Sequence, residues 1–327
     1  MYKKFNIKLL AVILVLLVVA VVAVYVSDSK KGERSFRAKM VDADTAKITK
    51  IVIYPRANKD KAVELKKVTG TWKVISGTNE YKADESMIKG ILGSLADMKP
   101  EQLAATDKSH WSEFDVTDSA ATKVKLYTGK KLATNLYIGR FNYHPPKNQN
   151  PYNYGQQGTM STYVRLADEK AVYSVEGYIG MTLDRQLNDF RDKTLVRLAK
   201  DNLNKIAFTY PVDSSFTMIR EGNNWTINGV ACDSMKVANY LSSLSYLNGS
   251  SFNDEKVMTQ PVYSVRIEGN NMPAPIVVNA YAGKTPTQLI LNSTLNDEAN
   301  FTDENGYLAK KIYASKTKFL KGPETTK

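Results

Sequence analysis

The chain repeats itself, and a repeat fixes architecture before any single motif does. A Lys-Ile pair opens a β-branched or aromatic strand at Lys50-Ile51-Val52-Ile53-Tyr54-Pro55 and again at Lys205-Ile206-Ala207-Phe208-Thr209-Tyr210-Pro211. Both end at a proline, which cannot donate to a strand ladder. A turn and a tryptophan strand follow, Gly70-Thr71-Trp72-Lys73-Val74 and Gly222-Asn223-Asn224-Trp225-Thr226-Ile227. Asp84 and Asp233 then stand where a helix N-cap accepts hydrogen bonds from free N–H groups. At a constant offset of 149, Ile88, Ile91, Leu92, Leu95 and Met98 match Val237, Tyr240, Leu241, Leu244 and Leu247. That spacing marks one buried helical stripe, and the Trp72 and Trp225 rings are expected to anchor the two cores.

Strand patterns follow each helix. The first set is Lys123–Tyr127, Asn135–Gly139, Thr162–Leu166 and Ala171–Val175; the second is Tyr263–Ile267, Pro275–Val278, Gln288–Leu291 and Ala309–Tyr313. Their alternation predicts sheets with one wet face. The stretch Thr182–Leu198 reads as a partly exposed linking helix carrying Arg185, Asp189, Arg191, Asp192 and Arg197. The expected fold class is α+β: an N-terminal transmembrane helix, then two tandem repeat-related units, each a mainly antiparallel sheet with a packed helix.

Leu9–Val26 is an 18-residue run without a charge, which as a helix would cover roughly 27 Å. It is longer than a usual signal-peptide core, so a retained single-pass anchor is favoured over cleavage after Val21 and Ala23. No cysteine stands directly after the run, which excludes a lipoprotein anchor. Lys3, Lys4 and Lys8 before it are outnumbered by Lys30, Lys31, Arg34, Arg37 and Lys39 after it, so charge alone leaves orientation open. The expectation is a bilayer-bound segment at 9–26 in the bacterial cytoplasmic membrane, with the body extracytoplasmic. The domain plan is a cytoplasmic tail at 1–8, the span at 9–26, a linker or stalk at 27–45, units at 46–199 and 200–321, and a tail at 322–327.

The net charge of +12 is not a nucleic-acid signature. The first 39 residues hold eight Lys/Arg against Asp28 and Glu33, 8 − 2 = +6, leaving +6 for the rest, where both signs are interleaved. The single cysteine, Cys232, rules out an intramolecular disulfide framework.

The series of Trp72, Ala83-Asp84, Ile138-Gly139, Tyr163-Val164-Arg165 and Val172-Tyr173-Ser174-Val175 resembles the bacterial family called domain of unknown function 4340. The likeness covers about Ile48 to Leu198 well and the second copy more loosely. It implies a single N-terminal anchor, an extracytoplasmic body and association with ABC-type transport systems of the gliding-motility kind. It implies no reaction. The segment from Phe141 to Thr159 is longer and more aromatic than that pattern leads one to expect.

Catalytic material is scarce. His110 and His144 are the only histidines and have no metal-ligand spacing. Gly283-Lys284-Thr285 lacks the earlier glycine of a phosphate loop, since Val278 stands there. Asp84, Asp115, Asp184, Asp189 and Asp192 read as caps or helix surface. No cofactor, metal or catalytic residue is expected. The candidate ligand or partner segment is the aromatic loop 141–157, with Phe141, Tyr143, His144, Tyr152, Asn153 and Tyr154. Rings beside amides suit a glycan or peptide, but the favoured reading is that the tyrosines pin a long loop to its own sheet. The leading functional expectation is a non-enzymatic, membrane-anchored accessory or scaffold protein working with membrane transporter subunits. A glycan- or peptide-binding envelope module is the alternative, and an envelope enzyme with an unrecognised site is third.

Overall fold

The computed structural model describes residues 37–58, 61–145, 158–257 and 259–321, together with Leu17, Val18 and Val21, which are helical. The expected span at 9–26 otherwise lies outside the described residues, among which no helix is long and apolar enough to cross a membrane. The rest is strand-rich α+β, built on two antiparallel nine-stranded sheets.

The first sheet contains β1 (Lys50–Tyr54), β2 (Val63–Val68), β3 (Thr71–Ser76), β4 (Asn79–Lys82), β5 (Pro100–Ala105), β6 (Thr122–Thr128), β7 (Lys131–His144), β8 (Thr159–Leu166) and β9 (Val172–Glu176). Helix α1 (Glu85–Ala96) interrupts it after β4, and α2 (Ile179–Leu183) closes it. The strand order is β4-β3-β2-β1-β6-β7-β8-β9-β5. After β10 (Thr194–Arg197), the second sheet is laid down as β11 (Leu203–Thr209), β12 (Phe216–Glu221), β13 (Asn224–Ile227) and β14 (Val230–Ala231). Helix α3 (Ser234–Leu244), β15 (Tyr246–Asn248) and β16 (Ser251–Phe252) come next, followed by β17 (Tyr263–Gly269), β18 (Ile276–Ala282), β19 (Leu289–Ser293), β20 (Asn296–Asp303) and α4 (Tyr307–Ile312). Its order, β14-β13-β12-β11-β17-β18-β19-β20-β16, corresponds place by place to the first, while β10 and β15 pair separately.

Local chemistry sets these elements. The β2–β3 connection is Thr69-Gly70, both with positive φ (46° and 92°), the two-residue geometry whose twist matches the flanking strands. Asp84 accepts from the Met87 N–H at 2.9 Å, and Asp233 from those of Met235 and Lys236 at 3.0 and 3.1 Å. Each cap starts a helix whose apolar stripe is buried: Ile88, Ile91 and Leu95 in α1, and Val237, Tyr240, Leu241 and Leu244 in α3. The α1 stripe shares a core with Ile51, Leu65, Trp72, Val124, Leu136 and Val164. The α3 stripe packs with Ile206, Phe208, Trp225, Val265, Val278 and Phe319. The Trp72 backbone N–H also donates to Glu85 at 2.8 Å, tying β3 to the start of α1.

Three expectations are corrected. The stretch 182–198 is not a helix: it holds the end of α2, one turn of 3-10 helix at Leu187–Asp189, and β10. Its carboxylates accept main-chain bonds instead, Asp184 from Arg56 at 2.6 Å, Asp189 from Gln186 at 3.2 Å and Asp192 from Thr194 at 2.9 Å, and such bonds compete with the helical ladder. Residues 309–312 belong to helix α4 rather than to a strand, and Tyr313 follows it; the Asp303 carboxylate accepts from the Ala309 N–H at 2.8 Å in its first turn. The linker expected to run to residue 45 is already packed by Met40 and Val41, both in the first core, with the Met40 N–H bonded to the Met98 carbonyl at 2.9 Å. Two apolar residues are too few to show a period, so the sequence hides that attachment.

Trp72 and Trp225 are both at least nine-tenths buried. Trp72→Ala and Trp225→Ala should each cost about 3–5 kcal/mol in urea unfolding; a loss below about 1 kcal/mol at either site would place that ring outside its core.

Candidate functional site

The hairpin of β7 and β8 carries the residues singled out by sequence, and strand pairing sorts them onto two faces. Phe141 pairs with Thr162, Asn142 with Ser161, Tyr143 with Met160 and His144 with Thr159. Cross-strand partners share a face and neighbours alternate, so Phe141, Tyr143 and Met160 lie on one side and Asn142, His144 and Ser161 on the other. On the second side His144 Nε2 lies 3.0 Å from Ser161 Oγ and 3.5 Å from the Asn142 amide. Phe141, Tyr143 and His144 therefore belong to the end of a strand, not to a loop. Strand length is governed here by pairing across the hairpin rather than by the polar run that follows. Tyr152, Asn153 and Tyr154 lie outside the described residues.

Helix α2 sits on the Phe141 side. The Thr162 hydroxyl, which shares that side, donates to the Gly177 carbonyl at 2.7 Å just before the helix. A Cβ added to Gly180 would stand 3.4 Å from Ile138 Cγ2, so the helix rests directly on the strand. Tyr178 and Met181 point outward from it. The result is an exposed apolar patch of Phe141, Tyr143, Met160, Tyr178 and Met181, with every member 39–58% exposed. Large apolar side chains held outward on paired strands and a packed helix form a preorganised contact surface.

Two arginines organise the rest, one expected only as a family marker and the other only as exposed helix surface. Arg165 is 2% exposed, its guanidinium carbon 3.6 Å from the Trp111 ring and 4.0 Å from that of Tyr137. It donates to the Val116 carbonyl at 3.2 Å and the Leu166 carbonyl at 3.0 Å. Burial pushes its pKa below the usual arginine value. Nearby, Asp118 accepts from Tyr137 Oη at 2.8 Å and lies 2.6 Å from Lys123 Nζ, and these bonds hold its carboxyl below the usual range. These groups satisfy one another, which makes the cluster a brace. His110 stands apart on the surface beside Glu113 at 3.3 Å.

Arg191, also 2% exposed, lies where the two sheets meet. Its guanidinium carbon is 3.6 Å from the Tyr81 ring of β4 and 3.7 Å from the Phe252 ring of β16. Its terminal nitrogens donate to both oxygens of Asp254 at 2.8 and 3.1 Å, and to Asn188 at 3.2 Å. Around it, Lys73 reaches Glu298 at 2.5 Å, Lys82 the Leu295 carbonyl at 2.8 Å, and Asn296 the Asp192 carbonyl at 2.6 Å. Beside this joint opens a cleft of about 850 Å³, walled by the β1–β2 connection, the β3–β4 turn and residues 184–189, with Asp254 at its edge. Its carboxylates Asp184, Asp189 and Asp254 already hold Arg56, Gln186 and Arg191. Among the described residues, no group of three or more His, Cys, Asp or Glu is placed to hold a metal ion.

A strand-rich α+β body of this kind, with its marker residues spent on packing, defines a class without defining a reaction. The family model described as "Domain of unknown function (DUF4340)" matches residues 72–263, more than half of the chain and parts of both sheets, and the protein belongs to that family. No curated protein and no solved structure matches it.

Arg191→Ala removes the cation from between the Tyr81 and Phe252 rings, while Asp254, half exposed, returns to water. It should lower stability by about 2 kcal/mol in urea and speed amide exchange in β4 and β16 first. Unchanged exchange in both strands would mean the joint carries no load.

Proposed function

We propose that this is a non-enzymatic accessory or scaffold protein, held at a membrane through residues 9–26, whose body docks a protein partner on the apolar patch at the end of the β7–β8 hairpin. The carrying observation is that patch: Phe141, Tyr143 and Met160 are presented by paired strands and flanked by Tyr178 and Met181. Aromatic and methionine side chains are enriched where protein interfaces are made, and Met adapts its shape to a partner. The partner class we favour is a membrane subunit of an ABC-type transport assembly, which rests on what the family resemblance implies. In the same reading the body is extracytoplasmic and consists of tandem units at 46–199 and 200–321, supported by the corresponding strand orders.

A second reading is a peptide- or glycan-binding envelope module. It draws on the polar side of the hairpin, where Asn142, His144 and Ser161 line up behind the aromatic one.

The test is affinity capture of the full chain from detergent-solubilised membranes. Wild type should recover membrane transport subunits, and Phe141→Ser with Tyr143→Ser should lose them while keeping its unfolding midpoint, since both side chains are more than half exposed. Transport subunits retained by the double variant would remove the patch from the account, and retention on isolated cell wall without them would favour the module.

A further inference from the structure

The cleft beside Arg191 has a counterpart in the corresponding place of the second sheet. There the β11–β12 connection, the β13–β14 turn and the residues following α4 border an open hollow of about 580 Å³, within the usual range for small-molecule sites. The chemistry of the walls differs. The first cleft carries three carboxylates and two cations, the carboxylates engaged with Arg191, Lys193 and the main chain. The second is lined by rings, chiefly Tyr210, Tyr263 and Tyr313, with Asn228 and several hydroxyls including Thr317, and by only one acid, Asp213, and one base, Lys316.

The rings are fixed in advance. Tyr210 and Tyr263 meet edge to face at 5.7 Å, and Tyr263 and Tyr313 lie 5.5 Å apart. The Tyr210 hydroxyl donates to the Ala314 carbonyl at 2.8 Å and that of Tyr313 to the Val278 carbonyl at 3.0 Å, whereas the Tyr263 hydroxyl has no partner among the described residues. Burial pushes the Tyr210 and Tyr313 pKa values up, so these phenols stay neutral.

We propose that this second cleft binds a neutral saccharide. Fixed ring faces match the apolar C–H faces of a pyranose, while Asn228, Thr317 and the free Tyr263 hydroxyl match its hydroxyls. The balance of one acid against one base gives an ionic ligand no net attraction. The site lies in a different sheet from the docking patch and does not depend on it.

The test uses the full chain in a detergent without a sugar headgroup. Saturation-transfer NMR with maltotriose, cellotriose and tri-N-acetylchitotriose, each at about 10 mM, should show transfer to at least one of them, with millimolar or tighter affinity by titration. Tyr263→Ala should weaken that affinity at least about tenfold. Asn228→Gly should weaken it too, and because glycine accepts the left-handed φ of 52° at this position, a folding defect is not the explanation. Phe141→Ser with Tyr143→Ser should leave it unchanged. Parallel sedimentation with insoluble chitin and cellulose separates a free sugar from a polymer chain as the source of the same ring. The proposal is overturned if no trisaccharide receives transfer, or if binding survives both cleft substitutions.

Discussion

A guanidinium closed between two aromatic rings, one from each sheet, is the interaction on which the arrangement of this protein depends. Removing an arginine from water costs several kcal/mol, and the surroundings of Arg191 offset that cost with two oxygens of Asp254, the Asn188 amide and the faces of Tyr81 and Phe252. The same contacts explain the irregular chain on either side. Residues 190–192 run along the end of β4, Arg191 bridging to Ala83 while the Asp84 N–H donates to the Phe190 carbonyl at 2.9 Å and the Asp192 N–H to the Lys82 carbonyl at 2.8 Å. A segment bonded in this extended way cannot also coil into a helix.

Seen from this joint, the residues that mark the family become intelligible as packing. Ala83-Asp84 is where the 190–192 segment attaches and where α1 is capped. Gly139 passes so close to the Phe114 carbonyl that any Cβ would overlap it. Arg165 braces Trp111 and Tyr137 from within, and Val172 and Val175 are fully buried. A family recognised by such residues is recognised by its scaffold. The apolar hairpin end and the aromatic pocket lie apart from those residues, on the surface and in a cleft.

Local patterns were legible in the sequence and distant contacts were not. The helix caps Asp84 and Asp233 and the matched stripes of α1 and α3 announce themselves because capping and 3.6-residue periodicity involve near neighbours. Strands such as β6, β8 and β17 show as alternating runs. The short helix α4 does not, since six residues make less than two turns, too few for a period to show in the sequence. Strand β20, with Asn296, Asp297 and Glu298 at its start, looks polar until the burial of Ala299 and Phe301 is seen. The candidate site was half visible: Phe141 and Tyr143 stood out, but Tyr178 and Met181 join them only through the seating of α2 on β7. Arg191 and Asp254, 63 positions apart, gave no local sign of each other.

Calorimetry of the unaltered full chain in mild detergent tests the central claim most directly. If the Arg191 joint makes the two sheets one body, residues 37–321 melt in a single transition whose calorimetric and van't Hoff enthalpies agree. Two separate transitions, each with the enthalpy of one sheet, would contradict it.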